Sequence, residues 1–361
     1  MSTPIYVTKP YLPAKEKYTK YIDSIYQNNQ LTNNGPLVQQ LTKRLQEKLG
    51  VKYLLLVSNG TTALQIAYKI KCLENKHVIT TPYSFAATST ALDWQQAHIH
   101  LANIDNKSWN ICPNALNEKI QEVKAEAIIP VNLFGVPCDL EAIDRLAVKY
   151  NIPVIYDSAH ALLSEYKGKS IFEYGDIHCI SFHATKLFHC IEGGAIIFKD
   201  KAEYELANNL INFGITSSGQ ISHAGINGKL SEFHAAMGLC VLDDIDELVQ
   251  ERSSLIQCYK EQLNDLVTYQ ETKYDHYAQP IYMPVKFDEK GKLDRCEKSL
   301  NKHGYFPRRY FLPQHLDFLP GREDSVIQQC KQAVENILCL PLMNGLDQKT
   351  IKSITQIIKS S

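Results

Sequence analysis

The stretch YLLLVSNGTTALQIAYKI, residues 53–70, decides the fold. Tyr53 to Val57 is a continuous apolar run, which predicts a strand buried on both faces. Ser58-Asn59-Gly60 interrupts it, and beyond Thr61 the apolar residues Ala63, Leu64, Ile66, Ala67 and Ile70 fall at helical spacing. Strand, glycine turn and helix together form half of a βαβ unit. The pattern recurs downstream: HVITTP (77–82) precedes SFAATSTALDWQQ (84–96), and IHLANID (99–105) precedes a helix starting near Pro113. AEAIIPVNL (125–133) precedes DLEAIDRLAVKY (139–150), and IPVIYDSA (152–159), CISFHA (179–184) and GGAIIFK (193–199) complete the set of strands. This alternation predicts an α/β fold, a mostly parallel sheet with helices on both faces and its ligand at the carboxyl ends of the strands.

On the N-terminal side lie a helix from Ala14 to Asn28, a turn-rich LTNNGP (31–36) and a second helix from Leu37 to Leu49. After Lys199 the pattern changes to long helices, one of them from Leu230 to about Asn264, followed by a smaller α+β unit from about Tyr282. The expected division is an arm plus large α/β domain over 1–240, then a linking helix and small C-terminal domain over 241–361.

A chain of 361 residues is too long for a single core of ordinary size, which agrees with two domains. Hydrophobic residues make up 44% and charged residues 21%, values that exclude a mainly disordered chain. Lys+Arg 38 against Asp+Glu 39 leaves no net field to attract nucleic acid, so a nucleic-acid partner is not expected. No apolar run approaches a membrane span, and the N-terminal residues lack the apolar core of a secretory signal. The ten cysteines are scattered, with no C-x-x-C pair and no Cys/His spacing for zinc. Reduced, buried thiols in a cytoplasmic protein without a metal are the expectation.

Three segments could carry chemistry. Ser58-Asn59-Gly60-Thr61-Thr62 sits where a buried strand meets a helix N-terminus, a place that suits either a phosphate or a simple cap. No G-x-G-x-x-G is present, which removes a dinucleotide-binding oxidoreductase. Asp157 ends an apolar strand, with His160 three residues on; a ligand carboxylate and a helix cap look alike in sequence. Lys186, in SFHATKLF, falls among apolar and small residues, where burial favours the free amine and hence a Schiff-base nucleophile. Lysine, acid, phosphate cup and an aromatic face such as Phe85 are the parts pyridoxal 5′-phosphate (PLP) requires.

Seven ordered motifs make the chain resemble the DegT/DnrJ/EryC1/StrS family of sugar-nucleotide aminotransferases. They begin with LTNNGP (31–36) and SNGTTAL (58–64), continue through PVNLFG (130–135), DSAH (157–160), SFHATK (181–186) and EGGA (192–195), and end with GINGKLSE (225–232). The resemblance implies the fold-type I PLP aminotransferase architecture: a large, mostly parallel seven-stranded sheet domain and a smaller C-terminal α+β domain. It implies that Lys186 holds the cofactor covalently and moves the proton, that Asp157 pairs with the pyridine nitrogen and that Phe85 stacks on the ring. Gly60, Thr61, Thr62 and Ser181 would hold the phosphate, joined by Asn227 of the neighbouring subunit in a homodimer. His160 would lie near the ring hydroxyl. The lysine argues against the family's dehydratase branch, where histidine replaces it, and the intact Lys186 and Asp157 argue against a non-catalytic relative.

L-glutamate and a nucleotide-linked keto sugar are the implied substrates. The motif flanks are most similar to enzymes that aminate C4 of dTDP-4-keto-6-deoxyglucose for surface polysaccharide; a C3 enzyme on a 3-keto sugar and a C4 enzyme on a UDP sugar are the alternatives. Asn33 and, in GYFPRRYFLPQH, Arg308, Arg309, Tyr310 and His315 are candidates for contacts to that substrate.

Overall fold

The computed structural model describes residues 4–311, 316, 318 and 325–361. Seven strands form the central sheet: β1 (Tyr53–Val57), β2 (His77–Thr80), β3 (His98–Leu101), β4 (Ala127–Ile129), β5 (Ile155–Asp157), β6 (Ile177–Ser181) and β7 (Gly194–Phe198). Their order is β1-β7-β6-β5-β4-β2-β3, with parallel bridges at Ile128–Val154 and Val131–Asp157 joining β4 to β5. Only β7 runs antiparallel, against β1 on one side and β6 on the other. The expected seven-stranded, mostly parallel sheet is present.

The apolar run of β1 is explained by alternation. Leu54 and Leu56 belong to a core shared with the helices Pro36–Leu49 and Glu232–Leu263, whereas Leu55 and Val57 pack with the helix Gly60–Ile70 on the other face. Ile196 and Ile197 of β7 repeat this division between the two faces, whereas the edge strand β3 is buried only at Leu101.

The 32-residue helix Glu232–Leu263 links two cores. Its residues up to Leu248 join the first core, while Leu255, Tyr259 and Leu263 join a separate cluster made of residues 255–358. The 240/241 division falls inside this helix. The arm has a feature its sequence conceals: Ile5–Tyr6 pairs parallel with Tyr305–Phe306, so the chain's first strand is stitched into the C-terminal unit. No helix among the described residues is long and apolar enough to cross a membrane, and no group of three or more His, Cys, Asp or Glu there could hold a metal ion.

Beneath the strand ends His178 is buried, stacked on Tyr156 at 4.9 Å, with Nε2 2.9 Å from the Tyr174 carbonyl and Nδ1 2.9 Å from the Ser158 hydroxyl. Nε2–H therefore donates to the carbonyl and Nδ1 accepts from the hydroxyl, a neutral tautomer that protonation would break. Burial depresses the pKa of His178 from 6.5 to about 3. The unfolded chain thus binds one more proton between these values, and stability present above pH 6.5 is lost as the pH falls. From pH 7.5 to 5.5 this side chain alone removes about 1.4 kcal/mol. Urea midpoints at the two pH values, compared with those of His178→Gln, should show the substitution flattening the dependence by that amount.

Candidate active site

At the carboxyl ends of β1, β5 and β6 opens a cavity of about 320 Å³, and most of the singled-out residues line it. Gly60 and Thr61 come from the N-terminus of the helix Gly60–Ile70, Asp157 from the end of β5, Ser181 from the end of β6, and Lys186 from the loop after it. Phe85, His160, Arg308 and Tyr310 complete the group.

The helix N-terminus is shaped to leave amides open. Asn59 caps it, its Oδ1 accepting the Thr62 N–H at 2.8 Å, and Ser58 Oγ lies 3.1 Å from Thr62 Oγ1. Thr62 is thereby engaged with its own turn and does not line the cavity. Gly60 and Thr61 do, with the positive end of the helix behind them. Gly60 is required here because a Cβ would stand 2.9 Å from the Ser181 Cβ. Glycine thus brings the helix end against Ser181, making a cup of two amides and a hydroxyl.

Asp157 is 5% exposed, accepting from Thr88 Oγ1 at 2.7 Å and from the Ala159 N–H at 3.1 Å. Burial raises its pKa against the opposing pull of those two hydrogen bonds and of Lys186. A buried carboxylate in this state is complementary to a cationic or N–H-bearing ring facing it. Burial pushes the Lys186 ammonium down to about 8, with Asp157 acting in the opposite sense. The lysine's loop is anchored by Phe182 and Phe188, fully buried and packed edge to face at 4.7 Å. Its Nζ lies 6.0 Å from the centre of the Tyr282 ring.

Phe85 is 60% exposed although it is a large apolar residue, and the face it shows lines the cavity. His160 is buried and held neutral by burial, its Nδ1 accepting the Phe134 N–H at 3.3 Å. Its ring lies 5.5 Å from that of Phe311, nearly parallel at 19°.

Some candidates fall elsewhere. Asn33 lines a second cavity, of about 680 Å³, along the free edge of β1. Asn227 is exposed and bridges backbone to backbone with Asn212, outside the Lys186 cavity of its own chain. Arg309 turns from the cavity to Asp294 and Glu297, its Nε donating to Glu297 at 2.9 Å. Arg308 faces the cavity with no carboxylate partner among the described residues. His315 lies outside the described residues. The contributors to which the sequence assigned no role include Thr88, His183, Glu192, Tyr282 and Phe311. Thr88 carried a signal, since it follows Phe85 by one helical turn; Tyr282 and Phe311 arrive from the C-terminal unit and carried none.

A seven-stranded sheet with a buried acid at one strand end and a shielded lysine after the next is the arrangement of a fold-type I aminotransferase. The chain belongs to the DegT/DnrJ/EryC1/StrS aminotransferase family, whose model matches residues 13–359. It is 38% identical to the dTDP-4-amino-4,6-dideoxy-D-glucose transaminase of Shigella dysenteriae, over 99% of each chain. It is 31% identical to a transaminase of the same name from Escherichia coli, over 98% of this chain and 97% of that one. Among solved structures, DesI in the presence of its TDP-sugar product superposes with a TM-score of 0.91 at 26% identity, covering 100% of this chain and 93% of that chain.

Proposed function

We propose that the chain transfers an amino group from L-glutamate to C4 of dTDP-4-keto-6-deoxyglucose, giving dTDP-4-amino-4,6-dideoxyglucose. Its cofactor is pyridoxal 5′-phosphate. The observation that carries this is the convergence of Lys186, Asp157, Ser181 and the open amides of Gly60 and Thr61 on one cavity, in a chain similar along its whole length to two transaminases of that product name.

The residues fit the cofactor end to end. Gly60, Thr61 and Ser181 are the phosphate cup, Asp157 is the partner of the ring nitrogen, and Phe85 supplies the stacking face. When bound, the cofactor supplies an electron sink that stabilises a carbanion next to nitrogen. Asp157 holds the charge that keeps that sink strong, with Thr88 holding Asp157 in place. Lys186, with a pKa near 8, has a free-amine fraction at neutral pH and can take a proton from the donor's α-carbon and return it to the sugar's C4. Arg308 is the basic group for an anionic part of either substrate. The working unit is a homodimer in which Asn227 of one protomer completes the partner's phosphate cup; its exposure away from its own cavity supports this.

A panel of dTDP 4-keto, dTDP 3-keto and UDP 4-keto sugars tests the proposal. The protein, expected at twice its 41.0 kDa chain mass in sedimentation, should lose its visible band with glutamate and regain it with the dTDP 4-keto sugar. Recovery only with a 3-keto or UDP sugar would overturn the substrate, and no response to any amino donor would overturn the reaction.

A further inference from the structure

Ile191 has a φ of +68°, a left-handed conformation that β-branched residues rarely adopt. The surrounding loop enforces it. Phe182 N–H donates to the Gly193 carbonyl at 2.8 Å, and Cys190 N–H donates back to the Phe182 carbonyl at 2.9 Å. Ile191 N–H donates to His189 Nδ1 at 3.2 Å, while the other nitrogen of that buried ring lies 2.7 Å from the Tyr11 carbonyl of the N-terminal arm. Strain of this kind persists only where the neighbourhood over-determines it, and it gathers at working sites.

The next residue, Glu192, lines the Lys186 cavity. So does His183, whose Nε2 stands 3.6 Å from Glu192 Oε1. His183 Nδ1 accepts the Thr185 N–H at 3.3 Å, which leaves the ring's proton on Nε2, facing the carboxylate. The pair is also close to the reactive amine along the chain, because Lys186 N–H donates to the His183 carbonyl at 2.8 Å. Both side chains are about half exposed, at 47% and 54%, so their remaining hydrogen-bonding capacity is open to a ligand.

Besides Lys186 and Asp157 the cavity lining thus holds Arg308, which lies over the Tyr310 ring and has no carboxylate partner among the described residues, and Glu192, a half-exposed carboxylate. A carboxylate repels the diphosphate and the carboxylates of an amino donor, and it accepts hydrogen bonds from neutral hydroxyls. Resting on the aminotransferase function above, we propose that Glu192, oriented by the strained Ile191 and paired with His183, is the specificity-determining residue that binds the hydroxyl groups of the sugar ring. The anionic portions of both substrates then fall to Arg308.

Calorimetric titration with two probes separates the sugar from the nucleotide: dTDP, and dTDP-6-deoxyglucose, whose sugar is uncharged. The native protein should bind the second more tightly, and Glu192→Ala should weaken it by about 10- to 100-fold, the range for hydrogen bonds to a charged group, with dTDP unchanged within about twofold. Glu192→Gln, which keeps an acceptor but no charge, should fall between. Retention of the visible band of bound cofactor and of the native melting temperature shows that both variants fold. Equal weakening of both probes, or of neither, overturns the proposal. If the native protein binds neither probe, the substrate assignment fails and the proposal with it; if it binds both but never reacts with an amino donor, the reaction fails while the sugar contact stands.

Discussion

Lys186→Ala should reduce amino transfer by at least about 10³-fold, because a proton carrier and the covalent tether are lost together. The loss should be confined to chemistry. The phosphate cup of Gly60, Thr61 and Ser181 and the Asp157 carboxylate are untouched, so the variant should retain cofactor, though without covalent attachment, and should accumulate it with bound amino sugar. Borohydride reduction of the native protein followed by peptide mapping should mark Lys186. A mark on another lysine, or a variant with turnover within tenfold of native, would remove this residue from its assigned role. Lys186 is suited to that attachment because burial lowers its pKa to about 8, whereas an ordinary surface lysine stays almost fully protonated at neutral pH.

Asp157→Asn should be the second most damaging change. Removing one member of a buried ion pair costs about 3–5 kcal/mol when the partner remains charged, which corresponds to about two to four orders of magnitude in rate. The apo protein should respond in the opposite direction. Without cofactor, Asp157 is a buried carboxylate held by one hydroxyl and one amide, and burial already raises its pKa, so neutralising it relieves a desolvation penalty. The expected signature is an unchanged or higher melting temperature for the apo variant and a lost melting increment on adding the cofactor. Equal destabilisation of apo and loaded protein would mean that Asp157 is a structural cap.

The amino-acid sequence determined the sheet and the chain order of its parts. YLLLV, IPVIYD and CISF are apolar without alternation because their strands are buried on both faces, and burial on both faces demands helices above and below. It also determined which residues sit at strand ends: Asp157 and Ser181 are the last residues of β5 and β6, and Gly60 is the first of its helix. Such positions are local facts, set by where an apolar run stops. The tertiary structure alone decided the rest. Arg308 and Arg309 are neighbours with identical side chains, yet one faces the cavity and the other an acidic pair on the helix Lys290–Lys302, a difference set by how the elements pack and not by residue type. Tyr282 and Phe311 reach the site only because the C-terminal unit folds against the sheet's ligand end. The strand Ile5–Tyr6 exists because Tyr305–Phe306 offers it an edge 300 residues away. Ile191 takes its left-handed turn for the same kind of reason: its own preferences oppose that conformation, and the contacts of Tyr11, Phe182 and His189 impose it.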